Sequence, residues 1–144
     1  MTKTYTFTNI APVFMVDDVK KTVRFYIDML GFRYAEHFDK IDNFATVSRD
    51  SVEIIIIQKQ SGTVESNRLR YGKGIDAYID ADTIEAVDII YHEYKSAGIE
   101  IARDPHMTDY GSYEFVIRDI DGRNIGIGVI KEKDIFFRES NYII

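Results

Sequence analysis

The chain has no cysteine in its 144 residues. That excludes disulfides, thiol nucleophiles and thiolate metal sites. Tryptophan is missing as well, so the aromatic content is carried by 10 Tyr and 9 Phe. Apolar runs such as Ile54 to Ile57 fall far short of the roughly 20 residues that span a bilayer, so no membrane partner is expected. No basic block is present and the formal net charge is −6, which argues against nucleic acid as a partner. The opening Met-Thr-Lys-Thr-Tyr-Thr-Phe lacks the apolar core of a signal peptide, and the expectation is a cytoplasmic protein.

The residues that are present build one small domain, or two half-domains sharing a core. The most informative stretch is Ser112 to Val129. It reads as two strands joined at Asp121-Gly122, a tight-turn dipeptide. In the second strand Ile125, Ile127 and Val129 alternate with Asn124, Gly126 and Gly128. One face is aliphatic and the other nearly bare, leaving either room for a ligand or a close approach of neighbouring groups.

Read in order, Ile10 to Val16 is a strand and Asp17 or Asp18 can cap a helix. Val19, Val23, Tyr26, Ile27 and Leu30 then form one apolar helical stripe, and Gly31 stops it. Phe32 to Phe38, Phe44 to Ser48 and Val52 to Gln58 read as strands with short, antiparallel links. Lys59 to Lys73, with Gly62 and Gly72, reads as a linker or mobile loop. The pattern then repeats. Ile75 to Ile79 is a strand, and Asp82 with Glu85 resembles a capping box. Val87, Ile90, Tyr91 and Tyr94 make a helical stripe that Gly98 ends. Glu100 to Arg103 is a short strand preceding the final pair. This internal repeat predicts two βαβββ modules, about residues 9–58 and 74–130, with the linker 59–73 between them. The class is α+β: a curved mixed sheet around a cleft, with the helices outside. Residues 131–144 form a tail whose apolar side chains are expected to pack on the body or on a partner subunit.

Val16-Asp17-Asp18, Val23-Arg24-Phe25-Tyr26 and Leu30-Gly31-Phe32 resemble the opening of the vicinal oxygen chelate superfamily. That group includes glyoxalase I, extradiol dioxygenases and the fosfomycin- and bleomycin-resistance proteins. Glu114-Phe115-Val116-Ile117-Arg118-Asp119-Ile120-Asp121-Gly122 resembles its closing EF-x-x-x-DPDG segment, with Ile120 where proline is usual. The resemblance covers roughly residues 9 to 130, and it implies the same doubled fold. It also implies where a divalent cation would be held: Ala11, Glu53, a residue near Gly74, and Gly126. Three of these cannot coordinate through a side chain, so no metal and no cofactor is expected. The histidines show no paired spacing. His37 is read near a strand end, His92 in a helix and His106 in a loop, where His106 is the best placed for function.

The candidate ligand-binding residues are Glu53, Asp76, Tyr78, Tyr110, Tyr113 and His106. Glu53 shares strand parity with Ile55 and Ile57, so it reads as a carboxylate on a buried face. It either pairs with an arginine, meets a cationic ligand, or acts as a catalytic base. Asp76 becomes a possible ligand if the second register shifts by two. The tyrosines, with Tyr71 and Phe115, cluster in the later half and can stack on a ligand or simply pack. Tyr110-Gly111 matches an aromatic-Gly pair beside the ligand site in the resembled family. Acidic charge favours a cationic ligand, whereas Arg68, Arg70 and Lys73 could hold an anionic one. Three functions stay open. One is metal-free binding or sequestration of a small molecule. Another is a metal-dependent lyase or dioxygenase with displaced ligands, or a metal-independent reaction using Glu53. The third is a structural subunit without ligand. A homodimer fits all three.

Overall fold

A computed structural model of the chain describes residues 4–34 and 43–136. His37, most of the strand expected over 32–38 and the end of the tail lie outside the described residues. The fold is α+β as expected, made of two four-stranded mixed sheets. It divides into two compact units, Met1–Val64 and Glu65–Ile144.

In the first unit the elements are β1 (Val13–Val16), α1 (Val19–Asp28), β2 (Arg33–Tyr34), β3 (Phe44–Arg49) and β4 (Val52–Gln58). The strand order is β1-β4-β3-β2. β1 runs parallel to β4, and the other pairs are antiparallel. Asp18 is the N-cap, its carboxylate accepting from the Lys21 amide at 3.2 Å. After the last turn Gly31 takes the left-handed φ of +75°. The Arg49 guanidinium then donates to the Leu30 carbonyl at 2.8 Å. The helical stripe Val19, Val23, Tyr26 and Leu30 is buried, as are Phe14, Val16, Ala45, Val47, Ile54 and Ile56. Each fully buried side chain of this size contributes about 1.5–3 kcal/mol, so the helix is fixed by its apolar face. The opposite face of the sheet is different: Val13 is 51% and Met15 43% exposed.

β1 starts at Val13 rather than Ile10, which is exposed. Pro12 offers only its carbonyl, which accepts from the Ile55 amide at 3.0 Å, and it has no N–H with which to extend the ladder.

The second unit contains α2 (Asn67–Tyr71), β5 (Ala77–Asp80), α3 (Ile84–Ser96), β6 (Ile101–Met107), β7 (Ser112–Arg118), β8 (Asn124–Ile130) and α4 (Lys133–Phe136). Its order, β5-β8-β7-β6, reproduces that of the first sheet, again with one parallel pair, β5 with β8. α3 lies on β6, β7 and β8 through Val87, Tyr91 and Tyr94, and Tyr91 meets Phe115 edge-to-face.

Four local expectations are corrected here. The stretch 59–73 holds α2, capped by Ser66 at one end and by left-handed Gly72 at the other. The cap of α3 is Thr83, whose hydroxyl accepts from the Ala86 amide at 3.0 Å, so the Asp82–Glu85 box does not form. β6 continues past Arg103 to Met107 through register shifts. Pro105 interrupts its ladder, and an edge strand tolerates that. Finally, β7 and β8 are joined by the five residues Asp119 to Arg123 rather than by a two-residue turn. The buried Asp119 carboxylate organises that loop by accepting from the Asp121 and Arg123 amides at 2.9 and 3.0 Å.

Candidate functional site

Side chains of adjacent ladder partners point to the same face of a sheet. In the second sheet, Ile125 and Ile127 of β8 and Phe115 and Ile117 of β7 face α3 and are buried. The other face carries Ser112, Glu114 and Val116 of β7, Asn124, Gly126 and Gly128 of β8, and Tyr78 of β5. The parallel pairing sets Tyr78 opposite Gly126 and Asp80 opposite Gly128.

The Tyr78 ring fills the space that the two glycines leave. A Cβ on Gly126 would lie 3.0 Å from Tyr78 Cδ2 and 3.1 Å from Ile75 Cδ1. On Gly128 it would collide with the Tyr78 hydroxyl, and would lie 2.6 Å from Glu114 Cβ and 2.8 Å from the Tyr113 carbonyl. Of the two readings of Gly126 and Gly128, room for a ligand or a close approach of neighbours, the structure shows the close approach, because the ring takes the place of the missing side chains.

This packing delivers the Tyr78 hydroxyl to the Ser112 hydroxyl, with which it is hydrogen-bonded. The Glu114 charge lies near enough to act on that phenol. From the β6–β7 turn, Tyr110 reaches back and donates to Glu114 Oε1 at 2.6 Å. Left-handed Gly111, at φ +85°, allows that turn. It is closed by the Gly111 amide donating to the Thr108 carbonyl at 3.1 Å. Glu114 is only 5% exposed and Ser112 is fully buried. Among the described residues no Lys, Arg or His nitrogen pairs with Glu114; its partner is the Tyr110 hydroxyl.

Beside this cluster is a partly open groove of about 350 Å³, lined by Met107, Tyr110, Gly111, Ile130 and Ile135. Lys131 and Glu132 are its charged members. Tyr110 belongs to both the groove and the cluster.

Of the residues singled out in the sequence, Tyr78 and Tyr110 converge on Glu114. The others do not join them. Tyr113 has opposite parity in β7 and donates to Asp88 of α3 at 2.6 Å, on the helix side. Asp76 accepts from the Asn67 and Asn124 amides at 2.9 and 3.0 Å. It therefore ties α2 to β8 and has little capacity left for a ligand. Glu53 is in the first unit, on the half-exposed face of β4, and its partner is Asn9 Nδ2 at 2.9 Å rather than an arginine. His106 is in β6, not in a loop. It stands across the ladder from Glu114, and its Nδ1 donates to the Asp104 carbonyl at 3.0 Å.

Glu114 was missed. The rule that flagged Glu53, a carboxylate inside an apolar strand, applies equally to Glu114 between Tyr113 and Phe115. It had been read only as a letter of a closing motif.

The donor set does not fit a divalent cation. Among the described residues no three His, Asp or Glu side chains stand together as a cation site. Gly126 is roofed by the Tyr78 ring, and Glu53 is held by Asn9.

Burial, followed by the Glu114 and Asp80 charges, raises the Tyr78 phenol above its ordinary value of 10.0, against the lowering effect of the Ser112 hydrogen bond. The hydrogen bond to Glu114 raises Tyr110, and that to Asp88 raises Tyr113.

A family model described as Glyoxalase/Bleomycin resistance protein/Dioxygenase superfamily matches residues 9–127. No curated protein matches the chain. Among solved structures, a glyoxalase/bleomycin resistance protein/dioxygenase from Alicyclobacillus acidocaldarius superposes with a TM-score of 0.70 at 14% identity, covering 90% of this chain and 95% of that one. The bleomycin-binding protein of Streptomyces verticillus, complexed with copper(II)-bleomycin, gives 0.65 at 21%, covering 87% and 98%. Lactoylglutathione lyase from Agrobacterium tumefaciens gives 0.63 at 19%, covering 85% and 92%. At these identities the likeness is one of fold. No helix among the described residues is long and apolar enough to cross a membrane.

Two predictions follow from this geometry. Gly128→Ala should lower stability to denaturant by about 1–3 kcal/mol, the usual cost of overpacking, because one of its clashes is with backbone. Gly126→Ala, meeting only side-chain ends, should cost less; equal costs would contradict the packing described. In an alkaline titration followed by phenolate absorbance, three tyrosines should ionise later in the folded protein than in urea. The folded state holds these phenol protons more tightly than the unfolded chain. Their contribution to stability is thus complete below the unfolded value and disappears as pH rises through the folded values. Tyr110→Phe should remove one late-ionising group.

Proposed function

This chain belongs to the Glyoxalase/Bleomycin resistance protein/Dioxygenase superfamily, and from that premise we propose that it is a small-molecule binding protein that works without a metal. The ligand lies in the groove beside Tyr110, at the end of the second sheet where Met107 closes β6 and Ile130 closes β8. The observation that carries this reading is the junction of two features at one residue. Tyr110 lines a groove large enough for a small ligand, and it is bonded to a buried polar cluster that can orient one. Binding sites typically combine such an apolar wall with a few placed polar groups. The Streptomyces verticillus relative, solved with copper(II)-bleomycin, supports a binding role on this fold.

An uncharged fluorescent probe, N-acetylated dansylcadaverine, tests the reading. It should bind, shift the Met107 methyl resonance, and bind equally well after treatment with EDTA. Retention of one divalent ion per chain, with probe binding lost on chelation, would falsify the metal-free reading.

We further propose a homodimer. Val13 and Met15 are partly exposed on the first sheet, and Phe7 and Ile10 are almost fully exposed before it. Apolar side chains gathered in this way favour a partner surface. Light scattering on the eluting protein should give twice the 16.7 kDa chain mass. A monomer at all concentrations tested would rule the dimer out.

A further inference from the structure

We propose that the ligand of this groove is a protonated amine with an apolar body, and that the Glu114 carboxylate is the group that recognises it. This rests on the groove being a binding site, and it adds the ligand's chemical class.

A carboxylate at 5% exposure is costly unless something compensates its charge. Arginine, lysine and metal ions are the usual compensation. At Glu114 the hydrogen-bonded partner is the phenol of Tyr110, and the Tyr78 phenol, bonded to Ser112, lies near enough to feel its charge. An ionised carboxylate has about four lone-pair sites, and the one phenol bonded to Glu114 leaves capacity for a further donor. Neutral hydroxyls stabilise the anion without cancelling it. The charges around it are mixed: Asp80 follows Gly128 along the same row of ladder partners and acts on Tyr78, His106 stands across the ladder from Glu114, and Lys131 and Glu132 line the groove.

Tyr110, 56% exposed, both lines the groove and bonds Glu114, so it joins the two. Two aromatic rings flank the carboxylate, and the faces of Tyr rings attract cations. The groove continues from there along Met107, Ile130 and Ile135, which suit an apolar body. An ammonium at Glu114 with its hydrocarbon in the groove satisfies both halves. An anionic ligand would set like charges together in a poorly solvated site, and a neutral one would leave the carboxylate uncompensated.

The experiment compares three dansyl probes on the intact protein: dansylcadaverine, its uncharged N-acetyl form, and dansyl-6-aminohexanoate. The amine should bind at least about tenfold more tightly than the acetylated probe, and the carboxylate should bind weakest. Glu114→Gln should abolish the preference for the amine while leaving binding of the acetylated probe. Tyr110 can still donate to the Gln carbonyl oxygen, so the fold should survive, as far-UV circular dichroism will show. Glu85→Gln, on the exposed start of α3, removes the same charge from the surface and should leave the preference intact. If the amine and acetyl probes bind wild type equally and both shift Met107, the amine proposal fails and the binding site stands. If neither binds, the site itself fails. The wild-type comparison decides the ligand class even should Glu114→Gln not fold, and loss of the preference in Glu132→Gln, at the acidic residue of the groove itself, would overturn the assignment to Glu114.

Discussion

The ring of Tyr78 lying across β8 is the contact on which the second unit depends. β8 has no side chain at Gly126 or Gly128, so its open face has nothing of its own with which to exclude water. The parallel pairing of β5 brings Tyr78 opposite Gly126, and the ring covers both glycines. One aromatic side chain thereby supplies the packing of two residues. It also carries a hydroxyl into the centre of the sheet, where Ser112 and Glu114 lie. Backbone conformation and side-chain chemistry are locked together here. The strand must be glycine-rich for the ring to lie flat on it, and the ring must be tyrosine for the buried polar groups to have a partner. A phenylalanine would pack as well and leave Ser112 and Glu114 short of a hydroxyl.

The two units share strand order and helix placement but treat their second faces in opposite ways. In the first, Val13, Met15, Ile55 and Ile57 form an apolar surface that remains partly open. In the second, the corresponding face is polar and covered: Ser112, Glu114 and Asn124 are all buried. A repeated backbone pattern therefore does not imply repeated chemistry. The helix-facing residues are constrained alike in both units, because each helix has one apolar stripe to hide. The other face is free to diverge, and the candidate site arose on the face so released.

That distinction also explains what could be read from the sequence. The helices were legible because Val19, Val23, Tyr26 and Leu30, or Val87, Tyr91 and Tyr94, recur with the helical period, and Gly31 and Gly98 end them. The doubled βαβββ order was legible from the same signals. Tyr78 and Tyr110 could be singled out as amphipathic side chains, but not as neighbours, since 32 residues of chain separate them. What joins them is the β5–β8 pairing, a long-range contact with no local signature. Gly126 and Gly128 allow either vacant space or a close approach, because a missing side chain says nothing of what fills it. Tyr113 was grouped with the wrong tyrosines although strand parity alone puts it on the face opposite Glu114. His106 reads as a loop residue when the strand is ended at Arg103, whereas the edge strand β6 absorbs Pro105 and runs on to Met107. Thr83 won the cap from Asp82 because only it precedes the first residue in helical conformation.

The presence of Glu114 is hard to explain by stability alone. An apolar residue of similar volume at its position would pack against Tyr78 and Val116 without any desolvation cost, and exchanges of buried charge for apolar groups are often neutral or stabilising. A glutamine would keep a hydrogen bond to Tyr110 without the charge. The fold thus has cheaper solutions that differ from this one only in lacking an anion. The adjoining loop points the same way. Residues Thr108 to Gly111 use a left-handed glycine and two backbone hydrogen bonds to Thr108 to hold Tyr110 over the carboxylate. A residue that served only to close the sheet would not require its single exposed neighbour to be a phenol at the mouth of a groove. The charge is costly for the folded chain by itself, and the proposed ammonium ligand would offset that cost.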